Sequence, residues 1–329
     1  MPRTHHFVFL SFLAAACQPP AASAPVPASI ADPAKYVTSI ADDYLAALRE
    51  TVPEINTTQG IPGARHDRLT DNSAAAERGW QSKEDEFLAR LKRINPNSLI
   101  GRSEWVTYGL LREELESSIA MRACNFRVWN VSPMTGLLAS YVPLAQQQPV
   151  GTDDLRRQAV TRWRGFPHLV DMEIANLREG VRAGYTEPKV NVTRVIEGAD
   201  RLLAASGSAS PLYSPAQRDT ALEFDDVYGR LVTDLLTPAV RRYRDFLANE
   251  YLPAARDNVS ITANPNGAAC NAASIRRYTT LDLSPDEVYN LGQQLVARAE
   301  STMRVITVAR FGTSDVRAAM RQARTDSTA

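Results

Sequence analysis

The sequence predicts an all-α protein. From residue 35 onward the apolar residues recur with the 3.6-residue period of an amphipathic helix rather than the alternation of a strand. Ser214 and Ser284 each precede a proline and stand three residues before Gln217 and Glu287, the arrangement of a capping box. Residues 260–264 (SITAN) are the one short strand candidate. Because composition shows no break, we expect one multi-helix domain over residues 35–329.

The predicted helices follow one another along the chain. Pro53 ends the first, and the sequence NPNS closes the second. Two later helices are expected to bend, at Pro167 and near Pro238. The segments with a helical period are residues 40–48, 87–94, 98–123, 153–179, 192–203 and 214–251.

A last helix is expected to begin at Ser284. This serine can cap it, Pro285 suits its first turn, and Glu287 completes the capping box. Its apolar residues share one face: Val288, Leu291, Leu295, Ala299 and Ile306. Such a face needs apolar partners, and without them it would form an exposed apolar patch.

The charge balance bears on possible partners. Lys and Arg together number 37, and Asp and Glu also number 37, so the formal net charge is zero. A chain without a basic excess is poorly suited to neutralise phosphates, so no nucleic-acid partner is expected. After the N-terminal residues, no apolar run has the length of a transmembrane helix.

The N-terminus has the layout of a secretory signal peptide over residues 1–16. Arg3 precedes an apolar run, and three alanines lead into Cys17, an arrangement that resembles a bacterial lipobox. In such signals the cysteine is lipidated after cleavage; the alternative is a plain secretory signal. Gln18 follows rather than Asp, which favours an outer-membrane anchor facing the periplasm. Residues 17–34, rich in Ala, Pro and Ser, are expected to form a flexible tether.

Two further cysteines, Cys124 and Cys270, would lie in an oxidising compartment. A disulfide between them would stabilise the fold by roughly 3–5 kcal/mol in the chain-entropy model. The alternative is a pair of buried free thiols, since the sequence does not show whether these residues meet.

Several common active sites are absent from the sequence. It has no phosphate-binding loop, dinucleotide fingerprint, nucleophile elbow or C-x-x-C pair. His66 and His168 are the histidines outside the signal peptide, and neither has a second metal ligand at helical spacing. We expect both to have packing or surface roles. The residues alone therefore indicate no catalytic group, no metal and no cofactor in this chain.

Residues 251–280 interrupt the helical pattern, and long irregular segments in helical domains are often functional. They end close to Arg276, Arg277 and Tyr278, which are suited to binding a carboxylate, such as that of a peptide. We interpret these residues as part of a possible ligand-binding loop. The alternative is that both arginines pair with acidic helix faces.

Five segments resemble, in order, a large family of bacterial secreted proteins, domain-of-unknown-function family 885, from about residue 44 to residue 312. They are WNVSPMTG, LREGVRAGYTEPKVNVTRVI, FLANEYLPAAR, NPNGAAC and RRYTTLDLSPDEVYNLG. The resemblance implies a helical, zincin-like fold related to metallocarboxypeptidases. Full-length relatives are similar to zinc peptidases through an H-E-x-x-P-G-H helix in their C-terminal half. One departure is Asn271, where relatives tend to have Tyr.

The resemblance covers only the N-terminal half of that fold, and no histidine follows His168. It therefore implies the metal-free, non-catalytic portion of a cell-envelope lipoprotein, inactive alone, with zinc expected only in full-length relatives. Its expected partners are the membrane, through the lipid anchor, and either a separately encoded C-terminal half or a second copy. The alternative is a stand-alone helical lipoprotein that binds a peptide or acts as a scaffold without catalysis. A hydrolase of another mechanism lacks an identifiable general base.

Overall fold

The computed structural model describes residues 30–325 and confirms the predicted all-α class. No strand occurs among these residues, where a single isolated bridge joins Pro188 to Arg256. Within the same range, no helix has the combination of length and apolar character that crossing a membrane requires. The predicted signal peptide and Cys17 lie outside the described residues.

The α-helices are numbered in chain order. Those of the first half are α1 (Pro33–Thr51), α2 (Glu54–Thr58), α3 (Ala74–Lys92), α4 (Glu104–Met121), α5 (Leu137–Gln147), α6 (Asp153–Arg164) and α7 (Phe166–Ala183). Those of the second half are α8 (Lys189–Ala204), α9 (Ser214–Gln217), α10 (Leu222–Leu231), α11 (Thr237–Phe246), α12 (Leu252–Ala254), α13 (Gly267–Thr279), α14 (Pro285–Phe311) and α15 (Val316–Thr325).

Helices α1, α3 and α4 pack on one another as an N-terminal group with its own apolar core. Asp32 and Ser73 start α1 and α3 by accepting a hydrogen bond from a backbone N–H of the first turn. The facing sides of the three helices bury Ile40, Leu91 and Leu115 completely. The burial of such side chains contributes roughly 1.5–3 kcal/mol each, which holds the group together.

A larger core joins α5 to α12 as a central group, with Trp163 and Phe166 at its centre. Helix α7 approaches the segment after α4 so closely that a Cβ at Gly180 would lie 1.9 Å from the carbonyl oxygen of Val128. Only glycine fits at this crossing, because any side chain would collide with backbone.

Helices α10, α11 and α12 form one continuous rod, because π-helical segments (Val232–Leu236 and Leu247–Tyr251) join them. Each π segment directly precedes a turn containing proline, at Pro238 and Pro253. A proline cannot donate to the carbonyl four residues earlier, and the wider π turn accommodates this loss. The expected disturbance near Pro238 is therefore a local change of helix type.

Two local predictions were wrong. The strand candidate at residues 260–264 contains a 3-10 turn, Ile261–Ala263, started by the Ser260 side chain. Ser214 is already inside α9 and forms no capping hydrogen bond, since Ser210 and Pro211 begin a 3-10 turn just before it. By contrast, the capping box of Ser284 and Glu287 is present at the start of α14.

Candidate functional site

Helix α13 carries the predicted binding residues Arg276, Arg277 and Tyr278, and they lie on its last turns rather than in a loop. The Nε and Nη2 of Arg276 donate hydrogen bonds to the carboxylate of Glu113 on α4, at 2.9 and 2.8 Å. The same Nη2 also donates to Glu116 at 3.0 Å. The hydrogen bond from Arg276 holds the pKa of Glu113 below its usual value.

Arg277 makes the matching contact one residue later on α13. Its Nη1 and Nη2 donate to the carboxylate oxygens of Glu114 at 2.7 and 2.9 Å, and its Nη1 also donates to Ser117 at 3.0 Å. Both guanidinium forks are thus filled by carboxylates of α4, while the side chain of Tyr278 is 82% exposed. The structure therefore favours the alternative interpretation, in which Arg276 and Arg277 pair with an acidic helix face. Their guanidinium donors are already bonded to carboxylates of α4 and are not available to a ligand carboxylate.

Cys124 and Cys270 form a disulfide that ties α13 to the turn after α4. The carbonyl oxygen of Cys124 also accepts a hydrogen bond from the indole N–H of Trp129 at 2.8 Å, and both cysteines are buried. The disulfide lies in the first turn of α13 and the arginine pairs lie in its last turns, so α13 is fixed to α4 at both ends.

Helix α14 follows α13 in the chain and packs mainly against α13 and α15. The side chains of Leu291, Leu295 and Ile306 are 49%, 55% and 52% exposed. Six large apolar residues of α14 fall within an arc of about 160° when placed at 3.6 residues per turn. We call this surface the arm face: Tyr289, Leu291, Leu295, Val296, Met303 and Ile306. An exposed apolar surface of this extent is typical of an interaction site.

A cleft of about 330 Å³, which we call the seam cleft, lies where the N-terminal and central groups meet. Its walls include the rings of Trp80 and Phe126, and its polar lining includes Asn72, Arg127 and Glu173. The amide of Asn72 donates to Glu173 Oε2 at 2.8 Å, while the buried Oδ1 of Asn72 has no hydrogen-bond partner in the described part of the chain. Burial raises the pKa of Glu173 to about 7, against the lowering effect of Asn72 and Arg127.

Arg127 joins the two groups beside this cleft. Its guanidinium donates to Glu77 of α3 at 2.8 Å and to Asn176 and Glu179 of α7 at 2.7 and 2.9 Å. Because these donors are engaged, Arg127 orders the wall of the cleft. The acceptor left for a ligand is the carboxylate of Glu173, since Asn72 Oδ1 is buried.

His66 is buried in a separate polar network. Its Nδ1 lies 2.9 Å from Thr57 Oγ1, which accepts from the buried Arg162 at 2.7 Å, and its backbone N–H donates to Gln158 at 2.6 Å. Burial lowers the pKa of His66, so the ring is neutral at pH 7. His168 is exposed on α7. Between residues 30 and 325 no cluster of three or more His, Cys, Asp or Glu side chains could hold a metal ion.

The sequence did not single out Glu173 or Asn72. A signal for Glu173 exists, because it sits on the apolar side of α7 beside the buried positions Val170, Asn176 and Leu177. A carboxylate at that point of an amphipathic helix must be partly buried. The partner Asn72 is 101 residues away, and no local pattern connects the two.

The helices thus define an all-α array in which a disulfide-anchored helix supports a long amphipathic helix with an open apolar face. Residues 53–329 match the family model described as bacterial protein of unknown function (DUF885), and the chain belongs to this family. A comparison with curated proteins gives no match.

A solved structure with the same fold is described as "The crystal structure of the putative lipoprotein from Colwellia psychrerythraea". The two agree with a TM-score of 0.74 at 16% sequence identity, over 90% of this chain and 55% of that one. The chain therefore spans about half the length of the solved protein that it matches.

Proposed function

We propose that this chain is the helical, non-catalytic portion of a cell-envelope lipoprotein of the family, and that its arm face binds the remainder of the fold. The observation that carries the proposal is the arm face itself, where Leu291 and Leu295 are about half exposed. The solved lipoprotein is longer than this chain, and such a protein has further chain with which to cover this surface.

The energetics support an interface rather than a free helix. Complete burial of a leucine-sized side chain contributes roughly 1.5–3 kcal/mol, so covering six half-exposed residues would contribute several kcal/mol. In proteins most of the stability of a helix comes from packing of its apolar face, and much of the apolar face of α14 is exposed in this chain. The capping box at Ser284 and the anchored α13 hold the start of α14 in place, which presents the arm face with little loss of conformational freedom.

The resemblance to zinc peptidases supports separate roles for the two halves of the fold. Zinc and its general base would belong to the H-E-x-x-P-G-H helix of full-length relatives, and this chain would supply the scaffold against which that helix packs. We therefore expect the purified chain, with zinc added, to hold no stoichiometric zinc and to cleave no peptide. Elemental analysis and a peptide-hydrolysis assay test this; tightly bound zinc with peptide turnover would overturn the non-catalytic assignment.

Analytical ultracentrifugation tests the arm face in the purified chain. We expect concentration-dependent self-association, because the apolar face has no other cover in this sample. Substituting Leu291→Gln and Leu295→Gln together should give a monomer. The matched control is Ala297→Gln with Val308→Gln, which changes two exposed apolar residues on the opposite side of α14. A monomeric parent chain, or equal effects of both pairs, would contradict the proposal.

The seam cleft favours a second candidate, a lipoprotein that binds a peptide without cleaving it. Its aromatic walls and the carboxylate of Glu173 suit a basic or amide-bearing side chain. Binding of a lysine-containing peptide, weakened by both Glu173→Gln and Trp80→Ala with no turnover, would support this candidate. Binding unchanged by these substitutions would exclude the cleft.

A further inference from the structure

A pocket of about 500 Å³ lies between α5 and α8, and none of its lining residues belongs to α14 or lines the seam cleft. Its walls are mainly apolar, and its volume falls in the range of small-molecule sites. The apolar side chains that line it include Leu138, Val142, Pro143, Val195, Leu202 and Pro211. Such a lining accepts a hydrocarbon chain, because burying apolar surface is favourable.

The charged residues that line the pocket are both cationic. Arg194 and Arg201 stand seven residues apart on α8, on the same side of the helix. No acidic residue lines the pocket, and within residues 30–325 neither arginine takes part in a salt bridge or a side-chain hydrogen bond. By contrast, Arg156, Arg178, Arg244 and Arg276 each hold a carboxylate.

Gly198 lies between the two arginines and leaves room for them. A Cβ at Gly198 would lie 3.8 Å from Nη2 of Arg201, so this guanidinium lies over the glycine at the pocket. The result is an open apolar pocket with two solvent-exposed guanidinium groups on the side formed by α8.

We propose that this pocket binds a single-chain amphiphile with an anionic head, a fatty-acid carboxylate. The chain would occupy the apolar lining, and the carboxylate would accept hydrogen bonds from Arg194 and Arg201, whose planar forks match its two oxygens. Charge complementarity carries the assignment: an anionic head gains charge-assisted hydrogen bonds from these two exposed arginines that a neutral head of equal chain length does not.

Isothermal titration of decanoate into the purified chain tests the proposal. We expect one saturable site, with 1-decanol of equal chain length binding at least about tenfold more weakly. Arg194→Gln and Arg201→Gln should each weaken decanoate binding by about three- to tenfold. Arg241→Gln, which removes an exposed arginine of α11, is the matched control and should change nothing.

A variant that blocks the pocket, and leaves both arginines unchanged, provides a second test. Gly198→Phe should abolish binding by filling the pocket, and the space around Gly198 allows a side chain without a collision with backbone. Equal binding of decanoate and 1-decanol, equal effects of Arg194→Gln and Arg241→Gln, or no saturable binding would each overturn the proposal. Tighter binding of decyl phosphate than of decanoate would overturn the carboxylate as the natural head group.

Discussion

Arg277 of α13 holds Glu114 of α4 through both terminal nitrogens, at 2.7 and 2.9 Å, across 163 residues of sequence. This contact fixes the end of α13 from which α14 departs. A guanidinium that grips both oxygens of a carboxylate is more strongly oriented than a single ion pair. The pair therefore helps to orient the helix that carries the arm face.

A double-mutant cycle measures the contribution of this pair. We expect Arg277→Gln and Glu114→Gln to show a coupling free energy of about 0.5–1.5 kcal/mol in urea unfolding, because both side chains remain about one-third exposed. The control is the exposed pair Arg157–Asp154 within α6, for which coupling near zero is expected. A coupling for Arg277 and Glu114 no larger than the control would refute the anchoring role.

The disulfide gives a second prediction. Cys124 and Cys270 are separated by 146 residues, and closing a loop of this length stabilises a fold by roughly 3–5 kcal/mol in the chain-entropy model. We expect dithiothreitol to lower the melting temperature by several degrees, and the Cys124→Ala, Cys270→Ala double variant to melt at that lower temperature with or without reductant. A parent chain that is insensitive to reductant and labels two free thiols after unfolding would contradict the pairing.

Glu173 gives a prediction about pH. Its pKa in the folded protein, about 7, lies above the ordinary value of 4.5. Between these values the folded state keeps a proton that the unfolded state releases, so stability falls as pH rises through this window. Glu173→Gln removes the effect and can still accept from Asn72. It should therefore stabilise the protein by about 1–3 kcal/mol at pH 8 and hardly at all at pH 4.

Glu179 on the same helix provides the control, because Arg127 lowers its pKa. Its contribution is present at neutral pH and is lost as pH falls, so Glu179→Gln should destabilise the protein at pH 8. If Glu173→Gln and Glu179→Gln changed the free energy of unfolding in the same direction at pH 8, the raised pKa of Glu173 would be contradicted. Chemical unfolding at a series of pH values provides the measurement.

Features encoded by neighbouring residues could be predicted from the sequence, and features set by distant partners could not. The helical class and the capping box at Ser284 depend on short spacings, and both are present. The roles of Arg276 and Arg277 depend on carboxylates about 160 residues away, which no local pattern indicates. Glu173 and Asn72 of the seam cleft were missed for the same reason.

Cys17 gives a prediction about the cell envelope. If Cys17 is the lipidated N-terminus, the mature protein should incorporate labelled palmitate. It should also partition into the detergent phase of Triton X-114, because the acyl chains of a lipid anchor are buried in the detergent micelle. Cys17→Ser should abolish both and leave the helical domain folded by circular dichroism. Labelling that persists in Cys17→Ser would exclude this residue as the attachment site.

Site-specific photo-crosslinking in the native host tests whether the arm face binds the remainder of the family's fold. A photoreactive amino acid at Leu295 is compared with one at Val308, on the opposite side of α14. We expect cross-links from Leu295, and not from Val308, to peptides of the family's C-terminal portion, on the same or a separate polypeptide. Cross-links from Leu295 only to a second copy of α14, or none at all, would show that the arm face does not bind the remainder of the fold.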